Sequence, residues 1–441
     1  MTAALLCWAF VAFASNPAHA FTISSAAHSP QHRPQHIVAR TKLHATMGQG
    51  IAVNPLLADV KLSKTIEVFA TVKEMEAEGI DVTSLCVGEP DFPPPRAVLD
   101  ATIQAVEGGE TRYTAVTGTA QLRAAIAEDL RGRKGLDYKD TEILVSNGAK
   151  QSVYQGVLAF CGPGDEVLIP APFWPSYPEM VALTGAKPVI VPTTIEDGFL
   201  VDPAKLEGYI NDNTKLMIFC NPSNPTGAVH SKGLQEGIAE VMKRHPQIAI
   251  LSDEIYERLV YNDENPHVSF ASIEGMYDRT MTVNGFSKAY AMTGMRLGYM
   301  AAPAKLLKPC VTIQSQLTSC AGSLSQAGGL AALTKVTETE MESNVKIMKE
   351  KRDYVVKRLS NISGLKYFVP DGAFYILPDV SAWFGGDDTE FCLALLKEKA
   401  LALVPGSSFG ADGTVRLSYA TSIEELTVAM DKLEAFMEEK R

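Results

Sequence analysis

The sequence predicts an α/β fold in which a mostly parallel sheet, covered by helices on both faces, is joined to a smaller α/β domain. Three observations support this prediction. Short strands alternate with segments of helical periodicity through most of the chain. Those strands are almost wholly apolar, as expected where both faces of a parallel sheet are buried. Beyond residue 345 the pattern changes to a long charged helix followed by separate strands.

The first elements are a helix, a strand and a second helix. SKTIEVFATVKEMEAEG carries apolar residues at helical spacing and ends at Gly79, and DVTSLCVG then predicts a strand. AQLRAAIAEDLRGRKG predicts an amphipathic helix that ends at Gly135. Glycine is favoured at such ends because it adopts the left-handed backbone conformation without a steric penalty.

The central part of the chain predicts a series of short buried strands. EILVSNGAKQSVYQGVLAF predicts a strand, a turn and a helix. GDEVLIPAPFWPSY and KLMIFCNPSNPTGAV predict strands that run into proline-rich loops. IAILSDEIYERLVY and TMTVNGFSKAY each predict a strand that ends at polar residues. The charged helix MKEKRDYVVKRLS, the segment LKYFVPDGAFYILPDV, a strand in VRLSYA and a last helix complete the smaller domain.

These patterns divide the chain into four expected regions. A targeting presequence occupies residues 1–50, and an N-terminal arm with part of the small domain occupies residues 51–95. The large domain is expected over residues 96–344 and the small C-terminal domain over residues 345–441. No linker rich in glycine or serine separates them.

The expected presequence has two parts. Residues 1–20 resemble a signal peptide, with an apolar run from Ala3 to Ser15 and a small-x-small pattern at 18–20. Residues 21–50 are rich in hydroxyl groups, mildly basic and free of acidic residues, which is typical of a transit peptide. Together they resemble the bipartite presequences of algal plastid proteins and predict a plastid location. The alternative is a secretory signal followed by a disordered tail.

Composition disfavours several classes of protein. The net charge of −11 argues against nucleic acid or an anionic membrane surface as the main partner. Seven cysteines without a CxxC pair are typical of unpaired thiols in a reducing compartment. After residue 44 the histidines are His230, His245 and His267, which are not spaced like metal ligands. We therefore expect no metal site and no Ser-His-Asp triad.

The polar residues at the strand ends form an unusual set. In a parallel sheet covered by helices, ligands bind outside the carboxyl ends of the strands, so these residues are expected to converge. They combine amine, carboxylate, amide, phenol and indole groups: Gly148, Ala149, Lys150, Trp174, Asn224, Asp253, Tyr256, Ser287 and Lys288. An amine at the end of a buried strand, kept partly neutral by its surroundings, can form a Schiff base with an aldehyde. Lys288 is the candidate.

The motifs SKAYAMTGMRLGY, SNPTG and SDEIYE together resemble those of class I/II aminotransferases, which are pyridoxal-phosphate enzymes with the aspartate aminotransferase fold. The resemblance extends from Lys64 to Lys440. It implies fold type I, with a large domain built on a mostly parallel seven-stranded sheet. GEPDF, VNGFSKA and RLSYATS further resemble the branch of prokaryotic-type aspartate aminotransferases and plastid bifunctional aspartate/prephenate aminotransferases.

The resemblance implies roles in holding pyridoxal 5'-phosphate. Lys288 would bind the cofactor as a Schiff base and, once freed, would carry a proton. Asp253 would pair with the protonated pyridine nitrogen, Tyr256 and Asn224 would share the ring hydroxyl oxygen, and Trp174 would stack on the ring.

The cofactor phosphate would be bound by a second group of residues. Arg296 and Ser287 would grip it beside the backbone N–H groups at Gly148 and Ala149, which open a helix. Tyr113 would reach the same phosphate from the neighbouring subunit, so the resemblance also implies a homodimer.

Substrate residues follow from the resemblance and from charge. Arg416 would bind the substrate α-carboxylate beside the Gly88 backbone. Lys150 is the candidate for a second carboxylate, and Thr65 stands where enzymes that use prephenate have a threonine. We therefore expect aspartate:2-oxoglutarate exchange with prephenate amination as a second activity. The alternatives are another amino-acid aminotransferase, for alanine or aromatic substrates, and a lyase on the same fold.

Overall fold

A computed structural model of the chain describes residues 53–57, 60 and 64–441, and the side chains of all of these except residues 64–70. The predicted presequence over residues 1–50 lies outside the described residues. Residues from Val53 to Arg441 group into one compact unit. The predicted boundaries between an arm, a large domain and a small domain therefore stay predictions.

Twelve strands lie in the described part of the chain. They are β1 (Thr83–Ser84), β2 (Ile143–Ser146), β3 (Glu166–Ala171), β4 (Lys187–Pro192), β5 (Thr214–Cys220), β6 (Ala249–Asp253), β7 (Thr280–Gly285), β8 (Gly298–Ala301), β9 (Tyr375–Ile376), β10 (Leu401–Ala402), β11 (Val404–Pro405) and β12 (Val415–Ser418).

Twelve α-helices accompany these strands in the same described ranges. They are α1 (Lys64–Ala77), α2 (Arg96–Glu107), α3 (Ala120–Lys134), α4 (Ala149–Phe160), α5 (Ser176–Leu183), α6 (Pro203–Leu206), α7 (Lys232–Arg244), α8 (Ala304–Leu317), α9 (Ser323–Lys335), α10 (Glu338–Leu359), α11 (Asp388–Lys399) and α12 (Ile423–Glu439). Among the described residues, no helix combines the length and the apolar character needed to cross a bilayer.

The main sheet has seven strands in the order β2-β8-β7-β6-β5-β3-β4. The pairs β3–β4, β3–β5, β5–β6 and β6–β7 are parallel, and this confirms the predicted mostly parallel seven-stranded sheet. β8 is antiparallel to both of its neighbours, β2 and β7. Its short sequence GYMA directly follows the Arg296 motif, and neither this strand nor its direction was predicted.

Two small sheets lie outside the main one. β11, β12 and β9 form an antiparallel sheet, and β1 pairs in parallel with β10, which joins Thr83 to Leu401. The predicted strand in DVTSLCVG is therefore only two residues long. The boundary predicted between residues 344 and 345 lies inside α10, which runs from Glu338 to Leu359.

The predicted helix ends are confirmed by their capping geometry. α3 begins after Thr119, whose side chain accepts a hydrogen bond from the Leu122 N–H at 3.4 Å. It ends at Gly135, which has φ of +66°. α1 ends two residues before Gly79, which has φ of +86°. Both glycines adopt a backbone conformation that other residues reach only with strain.

Close backbone packing sets the position of α4 against the sheet. Gly298, the first residue of β8, pairs with Ser146 of β2 on one side and with Gly285 of β7 on the other. A Cβ atom at Gly298 would lie 2.6 Å from the carbonyl carbon of Gly148 and would also overlap the Ala149 nitrogen. The absence of a side chain at Gly298 therefore allows the first turn of α4 to pack against the first residue of β8.

We expect Gly298→Ala to lower the free energy of unfolding by about 1–3 kcal/mol, because the new methyl group meets backbone atoms that cannot rotate away. Gly132→Ala in α3 is the matched control, since a Cβ there meets no atom within 4 Å. The control is expected to raise the free energy of unfolding by about 0.5–1 kcal/mol through helix propensity. Differential scanning calorimetry of both variants measures the two shifts. Equal or higher stability of Gly298→Ala would contradict this packing.

Candidate active site

A cavity of about 800 Å³ opens at the carboxyl ends of the parallel strands. Cys220 and Asp253, the last residues of β5 and β6, lie side by side in register and both line it. The cavity brings together most of the predicted site residues: Gly88, Ala149, Lys150, Trp174, Asn224, Asp253, Tyr256, Ser287, Lys288, Arg296 and Arg416. The expected convergence at the strand ends is therefore present in the structure.

Lys288 lies in the loop that follows β7, three residues after the strand ends at Gly285. Its Nζ donates a hydrogen bond to the Gly88 carbonyl oxygen and lies 6.0 Å from the centre of the Tyr256 ring and 5.7 Å from that of Phe374. Burial lowers the pKa of the Lys288 amine to about 8. At pH 7 about a tenth of this amine is therefore unprotonated, far more than for an ordinary lysine of pKa about 10.4, and the neutral form is the one that a nucleophilic lysine requires.

Asp253 is the buried anion of the cavity, with an exposed fraction of 4%. Its Oδ2 accepts a hydrogen bond from the Tyr177 hydroxyl at 2.7 Å, and its Oδ1 accepts one from the Ile255 N–H at 3.3 Å. Burial raises the pKa of Asp253 to about 6, and these two hydrogen bonds limit the rise. Above that pH the carboxyl group is mostly ionised, so the site offers a charged partner to a protonated ring nitrogen.

An anion site lies where α4 begins. Gly148 precedes the helix with φ of +85°, and a Cβ there would lie 2.7 Å from Nη2 of Arg296. The guanidinium of Arg296 therefore rests against the start of the helix, and its Nη1 donates to the Thr293 carbonyl oxygen at 2.9 Å. Ser287 is buried nearby on the cavity wall. A guanidinium, a hydroxyl and the N–H groups of the first turn of a helix are the donors that phosphate prefers. The predicted Gly148 N–H is not free for this, because it donates to the Ser146 carbonyl oxygen at 2.9 Å.

A second anion site is built around Arg416 in β12. The side chain is buried, with Nη1 3.2 Å from Asn224 Oδ1 and Nη2 2.7 Å from the Cys86 carbonyl oxygen. Its guanidinium carbon lies 4.5 Å from the centre of the Tyr375 ring and 4.8 Å from that of Phe409. Within the described part of the chain its Nε has no hydrogen-bond partner. The group is held rigidly and keeps donor capacity for a carboxylate.

Lys150 is a third cation on the cavity wall. Its Nζ lies 5.2 Å from the centre of the Trp174 ring. Burial, together with the positive charge of Arg296, lowers its pKa. Such a cation is destabilised until an anion joins it, so the arrangement favours a negatively charged ligand.

Three predicted residues are not among those that line the cavity. Gly148 lies directly behind Arg296, as its contacts show. Tyr113 is 89% exposed and does not reach the cavity of its own chain. Thr65 belongs to α1, but its side chain lies outside the described residues, so its predicted contact has no structural description here.

Sequence reasoning missed several residues of the cavity wall. Tyr177 could have been found, because its place three residues after Trp174 puts it on the first turn of α5. Tyr375, whose hydroxyl lies 2.9 Å from that of Tyr256, comes from a distant strand and carried no local signal. Glu89 follows Gly88 directly and also lines the cavity.

Comparisons with known proteins agree with this geometry. The sequence profile of the family described as aminotransferase class I and II matches residues 80–433. A bifunctional aspartate aminotransferase and glutamate/aspartate-prephenate aminotransferase from Petunia hybrida is 47% identical over 87% of this chain and 82% of the relative. An aspartate/prephenate aminotransferase from Cereibacter sphaeroides is 43% identical over 86% of this chain and 97% of the relative.

Solved structures show the same likeness. The crystal structure of the aspartate aminotransferase from Rhizobium meliloti superposes with a TM-score of 0.85 and 38% identity, covering 88% of this chain and 99% of that one. The aspartate aminotransferase from Thermus thermophilus with maleate gives a TM-score of 0.84 and 37% identity, covering 88% of this chain and 100% of that one.

The cofactor of this family is pyridoxal 5'-phosphate, and the cavity offers partners for its aldehyde, its ring nitrogen and its phosphate. An amine of lowered pKa, Lys288, matches the aldehyde, and the buried anion Asp253 matches a protonated ring nitrogen. The donors around Arg296 match the phosphate, and Gly148 keeps their approach free of a side chain. Fold, cavity chemistry and relatives agree: this chain belongs to the class I and II aminotransferases and uses pyridoxal 5'-phosphate.

Proposed function

We propose that this aminotransferase exchanges the amino group between aspartate and 2-oxoglutarate and that it also aminates prephenate. The observation that carries the proposal is the presence of two cations on separate elements of one cavity wall, Arg416 of β12 and Lys150 of α4. A substrate with two carboxylates needs two such groups held apart by a fixed framework. A monocarboxylate would bring no second carboxylate to Lys150, whose Nζ lies over the Trp174 ring on the cavity wall.

The relatives support a dicarboxylate. The Petunia hybrida and Cereibacter sphaeroides proteins are named for aspartate and prephenate, and both of these molecules carry two carboxylates. The Thermus thermophilus structure is described with maleate, a four-carbon dicarboxylate. Thr65, which the resemblance associates with prephenate, stays a prediction for the second activity.

The catalytic roles follow from the chemistry of each side chain. Bound pyridoxal 5'-phosphate supplies an aldehyde for condensation with amines and a ring that accepts electrons as the bond to the substrate Cα hydrogen breaks. Lys288 holds the cofactor and, once its Nζ is free, takes the proton from the substrate Cα. Asp253 keeps a proton on the ring nitrogen by its negative charge.

Neighbouring side chains orient these groups. Tyr256 and Asn224 would hydrogen-bond to the ring hydroxyl oxygen, and Trp174 would stack on the ring. Ser287, Arg296 and the N–H groups at the start of α4 bind the phosphate through charge-assisted hydrogen bonds. The Gly88 carbonyl oxygen, which accepts from Lys288 in this structure, becomes available when that amine is engaged elsewhere. Arg416 holds the substrate α-carboxylate beside Gly88.

The proposed assembly is a homodimer in which Tyr113 completes the phosphate site of the partner. Its exposed fraction of 89% is unusual for a tyrosine and leaves the ring free for such a contact. The plant relative is in keeping with the proposed plastid location, which rests on the composition of residues 1–50.

We expect Lys288 in the cofactor-free enzyme to react with acetic anhydride with a midpoint near pH 8. Only the neutral amine attacks the reagent, and burial favours that form, so the rate is low below pH 8 and reaches its plateau above it. Peptide mass spectrometry after brief labelling at each pH measures the rate for this residue, and added pyridoxal 5'-phosphate should protect it. A midpoint near 10.4, the ordinary value for lysine, would contradict the effect of burial.

Lys150→Ala tests the second carboxylate. Losing a charge-assisted contact should cost ~2–4 kcal/mol of transition-state binding for aspartate and prephenate, while alanine and phenylalanine lose far less. Steady-state kcat/KM for the four substrates measures the difference. Lys139→Ala, which changes an exposed lysine outside the cavity wall, is the control and should alter none of them. An equal loss for all four substrates would remove the support for a dicarboxylate.

Mixed dimers test whether Tyr113 acts across the interface. Lys288→Ala chains lack the amine, and Tyr113→Ala chains weaken the phosphate site of their partner. A hybrid of the two would contain one site with both residues intact, so about half of the normal activity per hybrid should return. Co-expression with two affinity tags isolates the hybrid for assay. Absence of any recovery would show that Tyr113 serves its own chain, and a fully active Tyr113→Ala homodimer would show that it serves no site.

A further inference from the structure

A group of charged side chains, buried except for that of Arg133, which is 27% exposed, contacts the segment that carries Asp253 and Tyr256. We name it the α3 charge cluster: Arg133 and Lys134 at the end of α3, with Glu254 and Glu257. Lys134 Nζ lies 2.7 Å from Glu254 Oε2 and also contacts Glu257 Oε2. The side chains of Lys134, Glu254 and Glu257 are 5%, 0% and 5% exposed. A lysine buried to this extent is exceptional unless it is paired.

The segment from Asp253 to Glu257 has two faces. Asp253 and Tyr256 line the cavity, whereas Glu254 and Glu257 are not among its lining residues and enter the α3 charge cluster. Glu254 is fixed further, because its Oε1 accepts from the Ser252 and Ser269 hydroxyls at 2.9 and 2.7 Å. Asp253 and Tyr256, which line the cavity, are thus each followed in sequence by a glutamate that Lys134 binds on the opposite face.

The cluster supplies its own positive charge. Glu254, Glu257 and His267 offer ligand atoms within 4.8 Å of one another, but the Lys134 ammonium already bonds to both carboxylates. Burial alone would raise the pKa of Glu257, but Lys134 and Arg133 outweigh it and hold that pKa well below its usual range. Further charges around it come from Asp129, Arg258 and Glu338.

We propose that Lys134 is a positioning residue for transamination: its ammonium, bonded to Glu254 and Glu257, fixes the segment that places Asp253 and Tyr256 at the cofactor. This inference rests on the roles proposed above for Asp253 and Tyr256. Removing one partner of a buried ion pair leaves an uncompensated charge, and the carboxylates then separate or draw in water. A displacement of about 1 Å at reacting groups can reduce a rate by about 100-fold.

The test compares Lys134→Met with Arg131→Met in the intact, cofactor-loaded enzyme. Methionine keeps the length of the side chain and removes its charge. Arg131 lies one turn earlier in α3 and pairs with the exposed carboxylates of Glu128 and Asp137, so its variant controls for loss of a charge from this helix. The measured quantities are kcat, KM for the amino donor, and the pH midpoint of the bound cofactor's absorbance.

We expect Lys134→Met to lower kcat at least tenfold with less than a threefold change in KM. Its absorbance midpoint should move to higher pH, because an unneutralised Glu254 beside Asp253 favours protonated forms. Lys134→Arg keeps the charge and should recover part of kcat. Arg131→Met should stay within twofold in every quantity. A kcat for Lys134→Met within twofold of the unaltered enzyme, or a fall with no change of midpoint, overturns the inference.

Glu257→Gln keeps the test decisive if Lys134→Met yields no soluble protein. It preserves side-chain size and leaves one positive charge in excess, so the midpoint should move to lower pH, opposite to the shift expected for Lys134→Met. An unchanged or raised midpoint overturns the inference. Asp253→Asn is assayed alongside: if that variant is fully active, the role proposed for Asp253 fails, whereas a normal Lys134→Met beside an inactive Asp253→Asn defeats this inference alone.

Discussion

Removing charged groups from water is costly, and that cost shapes the interior of this enzyme. Asp253 is buried at the end of β6 and keeps its charge through the hydroxyl of Tyr177 and a backbone N–H. Arg416 is buried in β12 and relies on an amide, a carbonyl group and two aromatic rings. Each charge is tolerated only because a framework of strands and helices holds its partners in place.

Positive charge is concentrated in the cavity of a chain whose net charge is −11. Arg296 lowers the pKa of Lys150, and Arg416 and Arg296 act in the same direction on Lys288. Anionic ligands relieve this mutual repulsion. A bound anion therefore stabilises the protonated form of Lys150.

The sequence was sufficient for the alternation of strands and helices, the ends of α1 and α3, and the convergence of strand-end residues on one cavity. These features depend on local periodicity and on a general rule for parallel sheets. It was not sufficient for β8, because GYMA is only four residues long and would fit a sheet in either direction. Nor could it show that Tyr375 meets Tyr256 or that Lys134 meets Glu254, since such contacts depend on tertiary packing rather than on spacing along the chain.

The position of β8 also bears on how the chain is made. β2 is an edge strand whose sole neighbour in the seven-stranded sheet is β8, and β7 has β8 on its outer side. β1 likewise pairs with β10, so Thr83 can form its strand pairing only after Leu401 has been synthesised. On a ribosome, the early strands therefore emerge long before the segments that complete their hydrogen bonding. Bringing such distant segments together costs loop-closure entropy, so the contacts between them form slowly. A fragment that stops before Gly298 therefore leaves both β2 and the outer side of β7 unpaired.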